Sequence, residues 1–243
     1  MSGYTNHIVV CGYEMRSGML LDVLVSELNI EEDPVVLLAP YERPRGLPPK
    51  FIWIQGDPTK ESQLDKARIT ESRNVIITGS RRVKPQQADA TTILTAFTIR
   101  SHLSKSPLAA KRKSPVHIVA EILDSENVQH ARAAGADEVV ETRRMGYSLL
   151  AHAVVYPGIA DATSRLVFAG QQNLYVGPLP EDVTAPTAFD ELSRRIRAAT
   201  GCLVLGVRDP TTGQQRVNPP RGELVAPGME VLYLATEPRL ERP

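Results

Sequence analysis

Short apolar runs alternate with stretches of helical periodicity along the first 140 residues of the chain. The runs are rich in β-branched residues and contain few polar positions, which is typical of strands that are buried on both faces of a sheet. Six of them predict strands, at residues 8–11, 35–38, 51–54, 74–78, 116–120 and 138–140.

The segments between these runs predict helices. A first helix is indicated by apolar residues at helical spacing, namely Leu21, Leu24, Val25 and Leu28. Others are predicted after Pro58, over residues 87–103 with Ala90, Leu94 and Phe97 on one face, and from Asp124 as N-cap to Gly135 after the helix end. This alternation of strands and helices predicts an α/β fold, a Rossmann-like doubly wound parallel sheet.

The pattern changes after Arg143. Two helical stretches, at residues 145–155 and 159–168, are separated by Pro157 and Gly158, and a strand, a helix over 189–199 and further strands follow. We therefore predict three parts: a Rossmann-like domain at residues 1–142, a helical connector and dimerisation hinge at 143–170, and a small α+β domain at 171–243.

Charge and cysteine usage narrow the class of protein. The chain has 28 basic and 28 acidic residues, so nothing in its net charge indicates a nucleic-acid partner. It has no apolar run of the ~18 residues that a membrane span needs, and its start does not look like a signal peptide. Its two cysteines, Cys11 and Cys202, are expected to be reduced and buried. These features predict a cytoplasmic protein.

The turn after the first strand is where a dinucleotide would bind. Ligands of doubly wound sheets lie at the carboxyl ends of the strands, and the dinucleotide fingerprint places glycines first, third and sixth in this turn. Gly12 meets that rule, but the third and sixth places hold Glu14 and Ser17. A carboxylate would repel a pyrophosphate, so the sequence disfavours ordinary NAD binding.

The remaining dinucleotide and catalytic signals are also missing. The acidic residue that would bind the ribose hydroxyls at the end of the second strand is missing, since Ala39, Pro40 and Tyr41 stand there. Arg43 and Arg45, just beyond, could instead hold a 2′-phosphate or another anion. No CxxC, HExxH or GxSxG motif occurs. We predict a protein that is not an enzyme, and an NADP-linked oxidoreductase is the alternative.

Several separate motifs, in order along nearly the whole chain, resemble one known family, the regulator of potassium conductance domains, also known as the TrkA N-terminal and C-terminal domain pair. These motifs are the sequences at residues 7–13, 56–59, 64–67, 120–121, 126–127, 134–140, 205–208, 217–220 and 226–228.

The resemblance implies a cytoplasmic sensor that controls a potassium channel or uptake system. Members of the family form homodimers, and channel members assemble eight modules into a ring below a pore, so the implied partners are a second copy and a potassium channel pore or transporter subunit. The chain itself has no pore helix, which leaves a stand-alone subunit or the cytosolic part of a channel. The short segment before the first strand slightly favours a channel fragment.

The ligand of this implied sensor is not identified by the sequence. Calcium-gated members carry three carboxylates where this chain has Thr78, Glu121 and Leu123, which makes that calcium site doubtful. Glu14, Asp57 and Glu121 could instead converge on a cation, whereas Arg16, Arg81 and Arg82 would suit an anion such as an adenine nucleotide. The candidate cleft comprises Gly12, Tyr13, Glu14, Arg16, Ser17, Tyr41, Asp57, Thr78, Arg81 and Glu121.

Overall fold

The six apolar runs form one parallel sheet in the computed structural model, which describes residues 4–14, 18–27, 34–167 and 172–240. The chain divides into two compact units, Met1–Ala151 and His152–Pro243. The division falls inside a helix, Thr142–Val155. The boundaries at residues 142 and 170 stay a prediction.

The sheet of the first unit has the doubly wound topology. Its strands are β1 (Ile8–Cys11), β2 (Val35–Ala39), β3 (Ile52–Gln55), β4 (Asn74–Ile77), β5 (His117–Glu121) and β6 (Glu138–Val140). They run parallel in the order β3-β2-β1-β4-β5-β6, so the order reverses between β1 and β4. The predicted Rossmann-like fold class is confirmed.

Helices cover both faces of this sheet. They are α1 (Gly18–Glu27), α2 (Glu61–Lys66), α3 (Pro85–Lys105), α4 (Pro107–Ala110) and α5 (Val128–Ala133), whereas α6 (Thr142–Val155) follows β6 and is largely exposed. Alternate residues of β1 enter two different cores: Val9 and Cys11 pack in the one that includes Ile99 of α3, and Ile8 and Val10 in the one that includes Leu21 of α1. Burial on both sides explains why the strands show no polar alternation.

Three helix ends depart from the sequence prediction or refine it. Pro58 lies in a turn and α2 begins only at Glu61. Asp124 does cap a helical turn, accepting the Glu126 backbone N–H at 3.2 Å, but that turn is a 3₁₀ helix, Ser125–Asn127, before α5. Gly135 has a φ of +103° and follows Ala134, the C-cap of α5, so it ends the helix as predicted.

Two further sequence predictions differ from the structure: one loop contains a helix, and the apolar face predicted for α3 is not the buried one. The basic stretch at residues 105–113, predicted as a loop, contains α4. On α3, the face with Ala90, Leu94 and Phe97 is exposed, and Ile99 lies instead on the buried face.

The second unit is a small α+β domain. It contains α7 (Ile159–Val167), β7 (Asn173–Pro178), β8 (Thr187–Ala188), α8 (Phe189–Thr200), β9 (Leu203–Arg208), β10 (Gln215–Val217), β11 (Leu224–Val225) and β12 (Glu230–Ala235). Four strands form an antiparallel sheet in the order β10-β9-β12-β7, and β8 pairs with β11. Leu192 and Ile196 of α8 pack with Val204 and Tyr233 of the sheet. Among the described residues, no helix combines the length and apolar character required to cross a bilayer.

Candidate functional site

The turn after β1 lies against the end of β4. Gly12 has a φ of +81°, and its N–H donates to the Leu38 carbonyl at 2.9 Å. A Cβ at this position would lie 3.0 Å from the Thr78 carbonyl oxygen. Glycine is therefore required both by the left-handed backbone conformation and by the close approach of the two strand ends.

The two residues after Gly12 turn their side chains into the protein. Tyr13 packs in the core against the edge of Trp53, with 6.2 Å between ring centroids, and burial raises the pKa of its hydroxyl. Glu14 is only 4% exposed. A buried carboxylate needs hydrogen-bond donors, and those of Glu14 come from the turn after β4.

That turn, residues 78–82, encloses the Glu14 carboxylate. Ser80 Oγ donates to Glu14 Oε1 at 2.6 Å, and the Arg81 N–H donates to Glu14 Oε2 at 3.3 Å. Arg82 adds a guanidinium 3.7 Å from Oε2. The Arg82 guanidinium also lies over the ring of Tyr41, 4.8 Å from its centroid.

A second carboxylate, Glu121 at the end of β5, is held by the same turn. The Gly79 N–H donates to its Oε2 at 2.9 Å, and the Arg81 guanidinium pairs with its Oε1. Thr142, the first residue of α6, also donates its hydroxyl to Oε1, at 2.6 Å. Glu121 thus joins the ends of β4 and β5 to the start of α6.

These side chains form one continuous row, which we call the edge network. Its members are Glu14, Ser80, Arg81, Arg82, Glu121 and Thr142. The row crosses the carboxyl ends of four neighbouring strands, β1, β4, β5 and β6, and includes the point where the strand order reverses. Its two carboxylates face two guanidinium groups, so the formal charges of the network balance.

Open space lies on the other half of the sheet edge, beyond β1, β2 and β3. A cavity of about 210 Å³ is lined there mainly by aromatic and charged side chains, namely Tyr13, Glu14, Tyr41, Glu42, Pro44, Arg45, Trp53 and Arg82. The Trp53 indole N–H is buried without a hydrogen-bond partner among the described residues. The cavity therefore offers aromatic surface and the side chains of two arginines.

Two predicted cleft residues have other structural roles, and two more lie outside the described residues. Asp57 closes its own turn, accepting the Thr59 N–H at 3.0 Å and the Thr59 hydroxyl at 2.7 Å. Thr78 donates its hydroxyl to the Cys11 carbonyl at 3.2 Å. Arg16 and Ser17 lie outside the part of the chain that the structure describes.

The predicted cation set Glu14, Asp57 and Glu121 is not brought together as a metal site. Each carboxylate has its own donors, as described above, and within the described residues no three His, Cys, Asp or Glu side chains are placed to hold a metal ion. The physical reason is that Arg81 and the turn after β4 stand between the carboxylates of Glu14 and Glu121.

Comparison with known proteins identifies the family. Residues 3–134 match the family described as "Calcium-activated potassium channel slowpoke-like RCK domain". The chain belongs to this RCK family. The resemblance to the regulators of potassium conductance that the sequence predicted is thereby confirmed.

Two relatives of this RCK chain are named as potassium channels. It is 27% identical to "Probable potassium channel protein 2" of Methanocaldococcus jannaschii over 97% of the chain and 65% of that protein. It is 26% identical to "Calcium-gated potassium channel TvoK" of Thermoplasma volcanium over 64% of the chain and 42% of that protein. The chain thus spans two thirds or less of these relatives.

One solved structure shares the fold across both units. The human SLO3 gating ring is similar with a TM-score of 0.69 over 95% of this chain and 44% of that one. At 16% sequence identity this likeness shows the fold alone.

Three residues of this RCK chain with clear hydrogen-bonding roles were not predicted from the sequence. Ser80 and Thr142 carry no motif, and their partners lie 66 and 21 positions away in the sequence. Asp89 is fully buried on α3 and accepts three hydrogen bonds, from the Leu123 and Asp124 N–H groups and from Asn127 Nδ2.

Proposed function

We propose that this chain is a ligand-sensing module that gates a potassium channel or uptake system through motion between paired copies. Membership in the RCK family supports it, and so does the edge network, which connects the sheet edge to the first residue of α6. Gating requires that a ligand bind one arrangement of the paired copies better than the other, because only that difference can bias a gate.

Pairing of two copies is supported by α6. The residues from Thr142 to Ser148 are all exposed, and apolar side chains farther along stay exposed too, with Leu150 at 66% and Val154 at 85%. A helix with this much exposed apolar surface is seldom stable against water alone. We propose that α6 and α7 pack against a second copy and form the hinge of a homodimer.

A ring larger than a dimer is supported by a second apolar surface. On α3, Leu94 and Phe97 are 50% and 59% exposed, and on α4 Leu108 is exposed as well. A chain with two distinct self-association surfaces can extend beyond a pair and close into a ring. We propose such a ring, eight copies in the channel form, at the cytoplasmic face of the membrane beside a pore.

The ligand is proposed to be a small anion with a flat ring, such as an adenine nucleotide. Arg45 and Arg82 supply positive charge at the cavity beyond β1 to β3, and Tyr41 and Trp53 supply aromatic surface. A full dinucleotide is disfavoured because the Glu14 carboxylate and its donors take the place beside β1 and β4. The polar side chains of the edge network hydrogen-bond to one another, and this arrangement fits a regulatory role without catalysis.

Calcium is the second candidate, since TvoK is named as calcium-gated. In this chain, however, Glu14 and Glu121 are already paired with Arg82 and Arg81. A cation would have to displace these guanidinium groups, and calcium needs about six to eight oxygen ligands. We therefore expect calcium to act only weakly through these two carboxylates.

The test measures the distance between paired copies with and without ligand. A spin label at Lys113→Cys, an exposed position, reports one distance per dimer by double electron–electron resonance, because the native Cys11 and Cys202 are buried. We expect ATP or ADP to shift this distance distribution and calcium chloride to leave it unchanged.

Variants in the cavity make the test specific. Arg45→Ala is expected to abolish the nucleotide-dependent shift, whereas Arg132→Ala, an exposed arginine on α5, serves as the control. A ligand at about one hundred times its Kd should also add about 2.7 kcal/mol to the free energy of unfolding. A chain that stays monomeric at high micromolar concentration, or a distance that no bound ligand changes, would contradict the proposal.

A further inference from the structure

Glu121 holds three elements together with one carboxylate. Its Oε2 accepts the Gly79 N–H of the turn after β4, and its Oε1 accepts both the Arg81 guanidinium and the Thr142 hydroxyl. The side chain is 13% exposed, so it is largely withdrawn from water. A carboxylate in such a place depends on its donors, and loss of one weakens the geometry of the others.

Thr142 connects α6 to the ends of the strands through its hydrogen bond to Glu121. β6 is only three residues long, and its register places Val140 opposite Glu121, so α6 begins beside the Glu121 side chain. Among the described α6 residues, Thr142 is the one whose side chain hydrogen-bonds to this sheet edge. The rest of the helix is largely exposed. Within one copy, the start of α6 is therefore held by few contacts, of which the Glu121 bond is one.

Arg81 links the Glu121–Thr142 hydrogen bond to Glu14, which lines the cavity beyond β1 to β3. Its backbone N–H binds Glu14 while its guanidinium binds Glu121, so a displacement of the turn after β4 reaches both carboxylates. Arg81 itself makes no hydrogen bond or ion pair with α6 in the described part of the chain. Any effect of Arg81 on α6 must then pass through Glu121.

We propose that Arg81, Glu121 and Thr142 form a clasp that couples the turn after β4 to the first turn of α6. With the clasp closed, α6 begins at a fixed position against β5. When Arg81 is drawn away, Thr142 loses a rigid acceptor and the first turn of α6 loosens. The importance of the clasp for gating rests on the proposed function, but the coupling itself is a property of the chain without ligand.

Hydrogen exchange in the full chain tests the coupling. The readout is the exchange rate of the backbone amides at residues 145–149, the first of which, Met145, donates to the Glu141 carbonyl at 2.9 Å. We expect Arg81→Ala and Thr142→Val each to raise these rates about tenfold, because each removes a hydrogen bond to a charged group. Arg81→Lys, which keeps the charge but not the planar donor pair, should give a smaller increase.

A matched control comes from the same turn. Arg82 binds Glu14 and Tyr41 and not Glu121, so Arg82→Ala should leave the rates at residues 145–149 within about twofold of the native values. The double variant Arg81→Ala with Thr142→Val should exchange no faster than the faster single variant, within about twofold, because both changes break the same path.

Two results would overturn the clasp. In the first, Arg81→Ala speeds exchange only near its own turn while Thr142→Val alone affects α6. In the second, the effects of the two changes multiply, which would mean that they act independently. Circular dichroism confirms folding, and Arg81→Gln replaces Arg81→Ala if that variant unfolds. If the clasp fails while ligand still shifts the distance between copies, the proposed function stands without it.

Discussion

Replacement of Asp89 by asparagine tests the clearest structural role that the sequence did not reveal. Asp89 is fully buried on α3. Its Oδ1 accepts the Leu123 N–H and its Oδ2 accepts both the Asp124 N–H and Asn127 Nδ2, each at 2.9 Å. The change to asparagine keeps the shape of the side chain and removes the charge and one acceptor.

The cost can be estimated from these three bonds. The single amide oxygen can keep the two donors at Oδ2, but the amide NH₂ group then faces the Leu123 N–H, and two donors meet. An unsatisfied buried donor costs about 1–3 kcal/mol, and the remaining bonds weaken because the acceptor is no longer charged. We expect Asp89→Asn to lower the free energy of unfolding of the first unit by about 2–4 kcal/mol.

Urea unfolding, monitored by the fluorescence of Trp53 in the same unit, measures this change. The slope of the unfolding free energy against urea should stay the same, so that a lower midpoint reports stability alone. Asp65→Asn on α2 of the same unit is the matched control, since the Asp65 side chain is exposed and its carboxylate lies 3.3 Å from His102 Nε2. A loss of less than about 0.5 kcal/mol, the range of ordinary surface changes, would refute the reasoning.

Three further predictions concern a buried histidine, the two buried cysteines and a glycine with a positive φ. His7 is buried, its Nδ1 has no partner among the described residues, and burial lowers its pKa. The free energy of unfolding, measured with urea, should therefore fall as the pH drops below the pKa of about 6.5 that histidine has in the unfolded chain. His7→Leu should reduce this pH dependence. Burial raises the pKa of Cys11 to about 12, and Cys202 is also buried, so a thiol reagent should label both cysteines only after unfolding. Gly135→Ala should cost about 1–3 kcal/mol by urea unfolding, because φ is +103° and a Cβ would lie 2.8 Å from the Arg100 side chain.

The strands were predictable because their physical signal is local. Burial on both faces requires continuous apolar runs, and β1 and β2 show them without interruption. The face of α3 was harder to assign, because its buried side includes Asp89 and Thr92 while Leu94 and Phe97 are exposed. A helix that packs on the sheet with one side and presents apolar residues on another gives no single stripe in the sequence.

The candidate site was predicted in part. Gly12, Glu14, Arg81 and Glu121 were selected from their positions after strands, and the structure places all four at the same sheet edge. Their pairing was not predictable, because it depends on which side chains of turns distant in the sequence come within hydrogen-bond distance. Asp57, which satisfies its own turn, shows the converse: a carboxylate after a strand can be entirely local in its role.

Glu14 explains why this RCK chain departs from a dinucleotide site while keeping its fold. In the dinucleotide fingerprint a glycine at this place lets a pyrophosphate approach backbone donors. Here the same place carries a buried carboxylate, which accepts a hydroxyl and an N–H from the turn after β4 and faces Arg82. The protein thus places its own anion at this turn, and the turn after β4 supplies the donors that satisfy it. Because that anion is covalently attached, the turn after β4 stays connected to β1, and through Arg81 and Glu121 to α6, before any ligand arrives.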